Sequence, residues 1–297
     1  MRILITGGNG FIASHLINKL NSNYKVYLHS RSAIKEFPFL HFHQPTPILG
    51  HITLDVLNNA NIVACDCIIH LAGSFSAKTF EELIFDNLIT TNTILDFMKI
   101  KKIPKIIFIS SAAVWGKNLW SIANENTPAS PETDYAHTKF SAECLIKNAY
   151  LNGDIKTAFI LRPNTIYGFG SNSGVIDSLV KQASKSLKFQ IYGDGLQRRQ
   201  PLNIEDLLDA ISKCLTFNNR ALNVYGIAGP DSYSILDIAR MISKIYNMKF
   251  DCEFLSAQTN KPQTILISQS KIHNELDWHP KIKLVDGLKS IFELRNL

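Results

Sequence analysis

The chain has 297 residues, 45% of them hydrophobic and 19% charged, enough for one large folded domain or a dinucleotide-binding domain with a smaller companion. A net charge of +6, scattered and without a recognition motif, does not point to nucleic acid as a partner, although a mild positive field suits a phosphate-bearing substrate. Cys65, Cys67, Cys144, Cys214 and Cys252 form no Cys-x-x-Cys pair, and no apolar run is long enough for a signal peptide or membrane span. A reduced, cytoplasmic setting is expected.

Short apolar runs alternate with amphipathic stretches through the first half. The runs are Ile3–Ile5, Val26–Leu28, Ile52–Leu54, Ile68–Leu71, Ile106–Ile109 and Phe159–Leu161. Helical periodicity appears at Phe11–Leu20, Phe80–Met98 and Tyr135–Tyr150. This alternation predicts βαβ units and a Rossmann-type, doubly wound parallel α/β sheet. Ser30–Gly50, with Pro38, Pro45 and Pro47, reads mostly as loop. The lysines Lys99, Lys101, Lys102 and Lys105 read equally as a solvated helix end or as an anion site.

After Arg162 the pattern loosens. Helices are predicted at Val175–Ser186, Glu205–Phe217, Ile235–Tyr246 and Val285–Leu294, and strands near Phe189–Ile191, Asn223–Tyr225 and Phe250–Leu255. The expected division is a dinucleotide-binding domain over residues 1–163, with a returning segment near 202–226. A smaller C-terminal substrate-binding lobe takes 164–201 and 227–297, covering the carboxyl edge of the sheet, where ligands of such folds bind.

The first strand ends in Thr6-Gly7-Gly8-Asn9-Gly10-Phe11-Ile12-Ala13. Gly7 can take backbone angles closed to other residues, Gly10 allows close approach to a pyrophosphate, and the helix that follows offers free N–H groups and its positive dipole end. The spacing is Gly-x-x-Gly-x-x-Ala, a mild departure from Gly-x-Gly-x-x-Gly. After the second strand, Tyr27-Leu28-His29-Ser30-Arg31 lacks the carboxylate that usually binds the ribose 2′-hydroxyl of NAD. Arg31 and Ser30 could instead hold a 2′-phosphate, which favours NADP(H) over NAD(H), unless Arg31 is simply an exposed loop charge. Asp55, read at the end of the third strand, is a candidate for the adenine edge or a helix cap.

Tyr135-Ala136-His137-Thr138-Lys139 places a phenol and an ammonium one helical turn apart. A free phenol titrates near 10, and a nearby cation favours the phenolate and lowers that value. Ser110-Ser111 ends the preceding strand, where Ser111 can hydrogen-bond the oxygen that Tyr135 protonates or deprotonates. The alternative is an exposed helix pair. His41, His43 and His51 lack ligand-spaced partners, so no metal centre is expected. His70, at a buried strand, reads as a hydrogen-bonded core residue.

FISSAAVWG (Phe108–Gly116), followed by Pro131-Glu132-Thr133-Asp134-Tyr135 and Lys139, resembles the extended short-chain dehydrogenase/reductases, and more narrowly the epimerase/dehydratase family acting on nucleotide sugars. TGGNGFIASHL (Thr6–Leu16) is similar to the cofactor turn, DCIIHLAG (Asp66–Gly73) to the strand beside the pyrophosphate, and LRPNTIYG (Leu161–Gly168) to the strand entering the substrate lobe. Asn87 matches a helix asparagine, IYGDGLQRRQPLNIEDL (Ile191–Leu207) places Arg199 where the family brings an arginine to the substrate diphosphate, and LDWHP resembles the C-terminal signature. The resemblance implies Ser111, Tyr135 and Lys139 as catalytic residues. It implies Gly7, Gly10, Phe11, Ile12, Ser30, Arg31, Asp55, Val56, Leu71, Ala72 and Gly73, with Tyr135 and Lys139, around the cofactor. Ser111, Asn164 and Arg199 would meet a nucleoside-diphosphate sugar. It also implies a homodimer paired through Phe80–Met98 and Tyr135–Tyr150. Trp115, Thr165 and Gln200-Pro201 depart from the family pattern, the last two in the substrate region.

The leading expectation is NADPH-dependent reduction of a 4-keto sugar nucleotide, with an NAD-dependent 4-epimerase as the alternative. A dehydratase is disfavoured because Ala112-Ala113 stand after Ser111, where such enzymes commonly place Asp-Glu. A non-catalytic NADP-sensing protein would have no need of the Ser111/Tyr135/Lys139 set.

Overall fold

The computed structural model describes residues 1–20, 23–34, 45–75, 79–116, 122–256 and 264–295. Pro38, His41 and His43 lie outside them. The chain forms two compact units: Met1–Val114, Thr133–Arg162 and Ile211–Tyr225 in one, Trp115–Glu132, Pro163–Ala210 and Gly226–Leu297 in the other.

The first unit contains β1 (Arg2–Thr6), α1 (Phe11–Lys19), β2 (Lys25–Ser30), β3 (Thr46–Leu49), α2 (Leu54–Asn59), β4 (Cys67–His70), α3 (Phe80–Leu83), a π-helical segment Ile84–Ile89, α4 (Thr90–Lys101), β5 (Lys105–Ile109) and α5 (Asp134–Leu151). β6 (Thr157–Pro163) follows. The strands stand in the order β6-β5-β4-β1-β2-β3, each adjacent pair parallel, and a seventh strand from later in the chain adds beside β6. Strands buried on both faces explain the unbroken Ile-rich runs. One face packs Ile68, Ile106, Phe108 and Ile160 against Ile94, Phe97 and Met98 of α4 and Ala142 and Ile146 of α5, all buried. β2 and β4 flank β1 on opposite sides, so the chain order reverses there, and the carboxyl ends of β1 and β4 meet at this switch point, where doubly wound sheets bind their ligands.

The fold departs from the sequence expectations at the third strand and at Lys105. The third strand is Thr46–Leu49, inside the stretch read as loop, rather than Ile52–Leu54. Pro47 is tolerated because β3 is the sheet's edge, where its missing N–H leaves no interior bond unmade. Thr53 instead caps α2, its hydroxyl accepting from the Val56 N–H at 3.2 Å, so Asp55 lies in a helix. Nor is Lys105 part of a solvated helix end. It is buried, and its ammonium donates to the carbonyls of Leu215 and Phe217 at 2.8 and 2.7 Å. The helix predicted over Phe80–Met98 runs through α3, the π-helical turns and α4.

The remaining elements are β7 (Ile166–Tyr167), α6 (Val175–Ser184), β8 (Phe189–Tyr192), β9 (Arg198–Arg199), β10 (Leu202–Asn203), α7 (Ile204–Thr216), β11 (Ala221–Ile227), β12 (Tyr233–Ser234), α8 (Ile235–Ile245), β13 (Cys252–Leu255), α9 (Ser270–Leu276) and α10 (Leu284–Arg295). Within the second unit, β7 pairs with β10, β8 with β13 and β9 with β12, and α6, α8 and α10 bury Ile176, Leu179, Ile238, Ile242, Leu288 and Ile291 in a shared core. Among the described residues no helix is long and apolar enough to cross a membrane. All five cysteines are free thiols.

Candidate active site

The turn after β1 is shaped for close approach. Gly7 has φ +77°, and a Cβ there would lie 2.9 Å from the Ala72 backbone nitrogen, so any larger residue is both strained and obstructed. Gly10 precedes α1 and supplies no side-chain cap, which leaves the first helical N–H groups available to an anion. Thr6, the last residue of β1, accepts the N–H groups of Leu71 and Ala72 on one hydroxyl oxygen at 3.1 and 3.0 Å, fixing the two strand ends to one another. A glycine cradle, an uncapped helix start and flanking backbone at the switch point fit a dinucleotide pyrophosphate.

The bonds around Thr6 define a proton order. With both lone pairs occupied by N–H donors, its single proton goes to His70 Nδ1, 2.8 Å away. The neutral ring then carries its proton on Nε2 and donates to Thr91 Oγ1 at 3.1 Å, and Thr91 donates to the Asn87 carbonyl at 2.6 Å. Burial, with smaller contributions from Lys139 and His29, holds His70 down to about 3. The ring is a buried, hydrogen-bonded residue, as its sequence setting predicts.

Asn87 lies in the π-helical segment, a geometry that recurs at functional sites. Its amide accepts from the Ser74 N–H at 2.9 Å and donates to the Ser74 carbonyl and to Thr138 Oγ1, both at 3.0 Å. Thr138 in turn donates to the Tyr135 carbonyl at 2.9 Å. Gly73 makes room for this knot, since a Cβ there would sit 2.6 Å from Asn87 Oδ1.

Tyr135 is in the first turn of α5, started by Thr133, whose hydroxyl caps the Ala136 N–H. Its ring is half-buried, with the Ser111 side chain beside the phenol and Phe75 edge-on at 5.0 Å. Burial pushes the phenol up to about 12, and the Ser111 side chain only partly opposes this. The expected lowering by Lys139 is therefore absent in the protein alone. Lys139 is itself buried, with its ammonium 4.2 Å from the centre of the Phe108 ring, and desolvation brings it down to about 7 against an opposing pull from Glu143.

Glu143, one turn beyond Lys139, is fully buried. It accepts Arg162 Nε at 2.9 Å and Nη2 at 2.6 Å and the Ser110 hydroxyl at 2.6 Å, with Lys147 at 3.6 Å. Sequence reasoning passed over this group, although the spacing of 139 and 143 carried the signal.

Arg31 does not stand free for a phosphate. Its Nη1 is 3.2 Å from Asp86 Oδ1 of the π-helical segment, a pairing across 55 residues that no local pattern announces. Ser30 is buried, with its carbonyl accepting the Gly50 N–H at 3.0 Å, while Asp55 is exposed. The first unit thus gathers Gly7, Gly10, Leu71–Gly73, Ser111, Tyr135 and Lys139. Asn164 and Arg199 belong to the second unit. There the Asn164 amide donates to the Ile265 carbonyl at 2.9 Å and accepts the Thr165 N–H at 2.8 Å. Arg199 donates to the Arg198 carbonyl at 2.9 Å, and burial lowers its affinity for its proton.

A doubly wound sheet with a glycine turn at its switch point and a Ser–Tyr–Lys set is an enzyme of the short-chain dehydrogenase/reductase type. The pattern defining the NAD dependent epimerase/dehydratase family matches residues 3–228, and the chain belongs to that family. It is similar to a putative UDP-glucose 4-epimerase of Methanocaldococcus jannaschii, at 26% identity over 97% of this chain and 96% of that one. The dTDP-D-glucose 4,6-dehydratase of Mus musculus is 25% identical over 98% and 88% of the two chains. Among solved structures, UDP-glucuronic acid 4-epimerase from Bacillus cereus, in complex with UDP-glucuronic acid and NAD, superposes with a TM-score of 0.84 at 28% identity, covering 99% of this chain and 100% of that one.

Proposed function

We propose that the chain is a nucleoside-diphosphate-sugar 4-epimerase that retains NAD. The observation that carries this reading is the Ser111 side chain beside the Tyr135 phenol, with Lys139 one turn along α5, in the unit that holds the glycine turn. NAD, held by the glycine turn, Leu71–Gly73 and Lys139, would supply reversible hydride acceptance at the sugar's C4. Ser111 would hold the C4 oxygen, and Tyr135 would accept that oxygen's proton and return it. Lys139, with the ribose hydroxyls as acceptors, would be restored to its cationic form and draw the phenol down from about 12. Gly7, Gly10, Phe11, Ile12, Leu71, Ala72 and Gly73 would border the dinucleotide, with Ser30, Arg31, Asp55 and Val56 toward its adenosine end. Asn164 and Arg199, in a lobe drawn from 164–201 and 227–297, would meet the substrate.

Two observations favour the epimerase over its rivals. The Arg31–Asp86 pair already engages, with a carboxylate, the guanidinium that would meet a 2′-phosphate, which favours NAD over NADP and weakens the main ground for an NADPH-dependent reductase. Ala112-Ala113 after Ser111 leave no acid at that position for loss of water. The UDP-glucuronic acid and NAD bound to the Bacillus cereus 4-epimerase support the same reading.

The test is to denature purified protein, assay released dinucleotide, and incubate intact protein with UDP-glucose and UDP-glucuronic acid. NAD near one equivalent and C4 inversion without added cofactor are expected. Tyr135→Phe should keep its NAD and lose about three orders of magnitude in kcat. An empty site with stoichiometric NADPH oxidation by a 4-keto sugar nucleotide would establish the reductase instead.

A further inference from the structure

The hydrogen bonds that begin at Thr6 do not end at His70. Through Thr91 and Asn87 they continue to Thr138 and the Tyr135 carbonyl, joining the glycine turn to the first turn of α5 by bonds of 2.6–3.1 Å. Thr6, His70 and Thr91 are each 0% exposed, and Thr138 is 2% exposed. The order of donors is forced from the Thr6 end, and it admits one ring tautomer. We propose that His70 is a positioning residue, with its bare Nδ1 setting the Thr6 hydroxyl on the dinucleotide turn and its Nε2–H setting Thr91 and Asn87 under the catalytic helix.

The groups facing the ring suit this fixed role. Phe108 of β5 stacks on it at 5.7 Å, and burial, Lys139 of α5 and His29 of β2 all oppose its protonation. A protonated ring would place N–H against the Thr6 hydroxyl, whose lone pairs are already filled, and would break the floor of the turn. The inference rests on the epimerase reading only for what Tyr135 does; the bonds themselves do not depend on it.

Two variants divide the ring's functions. His70→Asn keeps an acceptor near the Nδ1 position, and His70→Gln keeps a donor near the Nε2 position. His70→Asn should retain NAD while kcat falls about tenfold, and His70→Gln should bind NAD about tenfold more weakly while kcat at saturating NAD stays within about threefold, one hydrogen bond being lost in each. Ring-nitrogen NMR of the intact protein, which needs no variant to fold, should show the proton on Nε2 alone between about pH 5 and 8. A proton on Nδ1, a ring that titrates in that window, or equal loss of NAD and kcat in both variants overturns the proposal. Should Tyr135→Phe retain full turnover, the epimerase reading fails, and the NMR and NAD-binding results still decide the role of His70.

A separate cluster in the second unit carries a second inference. Ligand atoms of His273, Asp277 and His279, all exposed, lie within 4.8 Å of one another, and the two imidazoles meet edge-on at 5.7 Å. Their frame is pinned from below. Trp278, between two of them, is fully buried and donates to the Asp206 carbonyl at 3.1 Å, while the Asp206 carboxylate accepts the N–H groups of Lys281 and Ile282 at 3.0 and 3.1 Å. Tetrahedral ligands about 2.0–2.1 Å from a cation stand about 3.3 Å apart, a distance that rotation of exposed side chains can reach. Two imidazoles and one carboxylate are the donor set of borderline transition cations rather than of calcium or magnesium. The geometry points to a divalent cation site of the zinc type at His273, Asp277 and His279.

Calorimetric titration of the tag-free, chelator-treated chain with zinc chloride should show one saturable site and a raised Tm. Both should vanish in His273→Gln/His279→Gln. No saturable binding, or zinc binding unchanged in that double variant, overturns the assignment.

Discussion

Lys139 should destabilise the very fold it serves. Buried against the Phe108 ring, it is brought from 10.5 to about 7, so between those values the unfolded chain holds a proton that the folded chain lacks. Stability must therefore rise with pH across that window. At pH 7 the imbalance corresponds to about 4 kcal/mol against folding, and at pH 9.5 to about 1.5 kcal/mol. Lys139→Met removes it, at the loss of a cation–π contact with Phe108 of about 1–2 kcal/mol. Because the folded ammonium is only half charged at pH 7 and neutral at pH 9.5, the variant should be inactive yet more stable than the parent by about 3 kcal/mol at pH 7, or about 6 °C in Tm, narrowing to about 1.5 kcal/mol at pH 9.5. NAD-stripped protein followed by circular dichroism on heating at both pH values is the assay. A gap that is the same at the two pH values would refute the reasoning, since only titration of this ammonium makes it pH-dependent.

Three further outcomes follow from the geometry. Glu143→Ala takes from the buried Arg162 guanidinium the two hydrogen bonds that the carboxylate accepts and should cost about 3–5 kcal/mol in urea unfolding, whereas Glu143→Met/Arg162→Met should recover most of that loss. Asp86→Asn frees Arg31 and should strengthen NADP binding about tenfold, measured by fluorescence titration, with NAD affected far less. Gly73→Ala drives a methyl to 2.6 Å from Asn87 Oδ1 and should lower Tm by several degrees and weaken NAD retention.

Much of the first unit was legible because its signals are local. A strand buried on both faces needs an apolar run, a glycine turn needs glycine where φ is positive, and a phenol and ammonium one helical turn apart announce themselves by spacing. Errors arose where long-range partners decide the outcome. Pro47 looks like a loop residue until the edge position of β3 is known, and Lys105 looks solvated until the carbonyls of Leu215 and Phe217 arrive from more than 100 residues away. Arg31 looks available to a phosphate because Asp86, 55 residues away, is invisible from residue 31. The rise of the Tyr135 phenol escaped for a similar reason, since helix spacing reports neighbours but not the loss of water.

The π-helical stretch Ile84–Ile89 works as a splice in an otherwise regular rod. Each side of it is indexed to a different neighbour: Asn87 to the loop at Ser74 and to α5, Thr91 to the ring at the end of β4. Cutting one residue from the wide turn would restore ordinary helical winding and rotate everything beyond it by about 100°. The backbone would become more regular, and the two contacts could no longer be made at once.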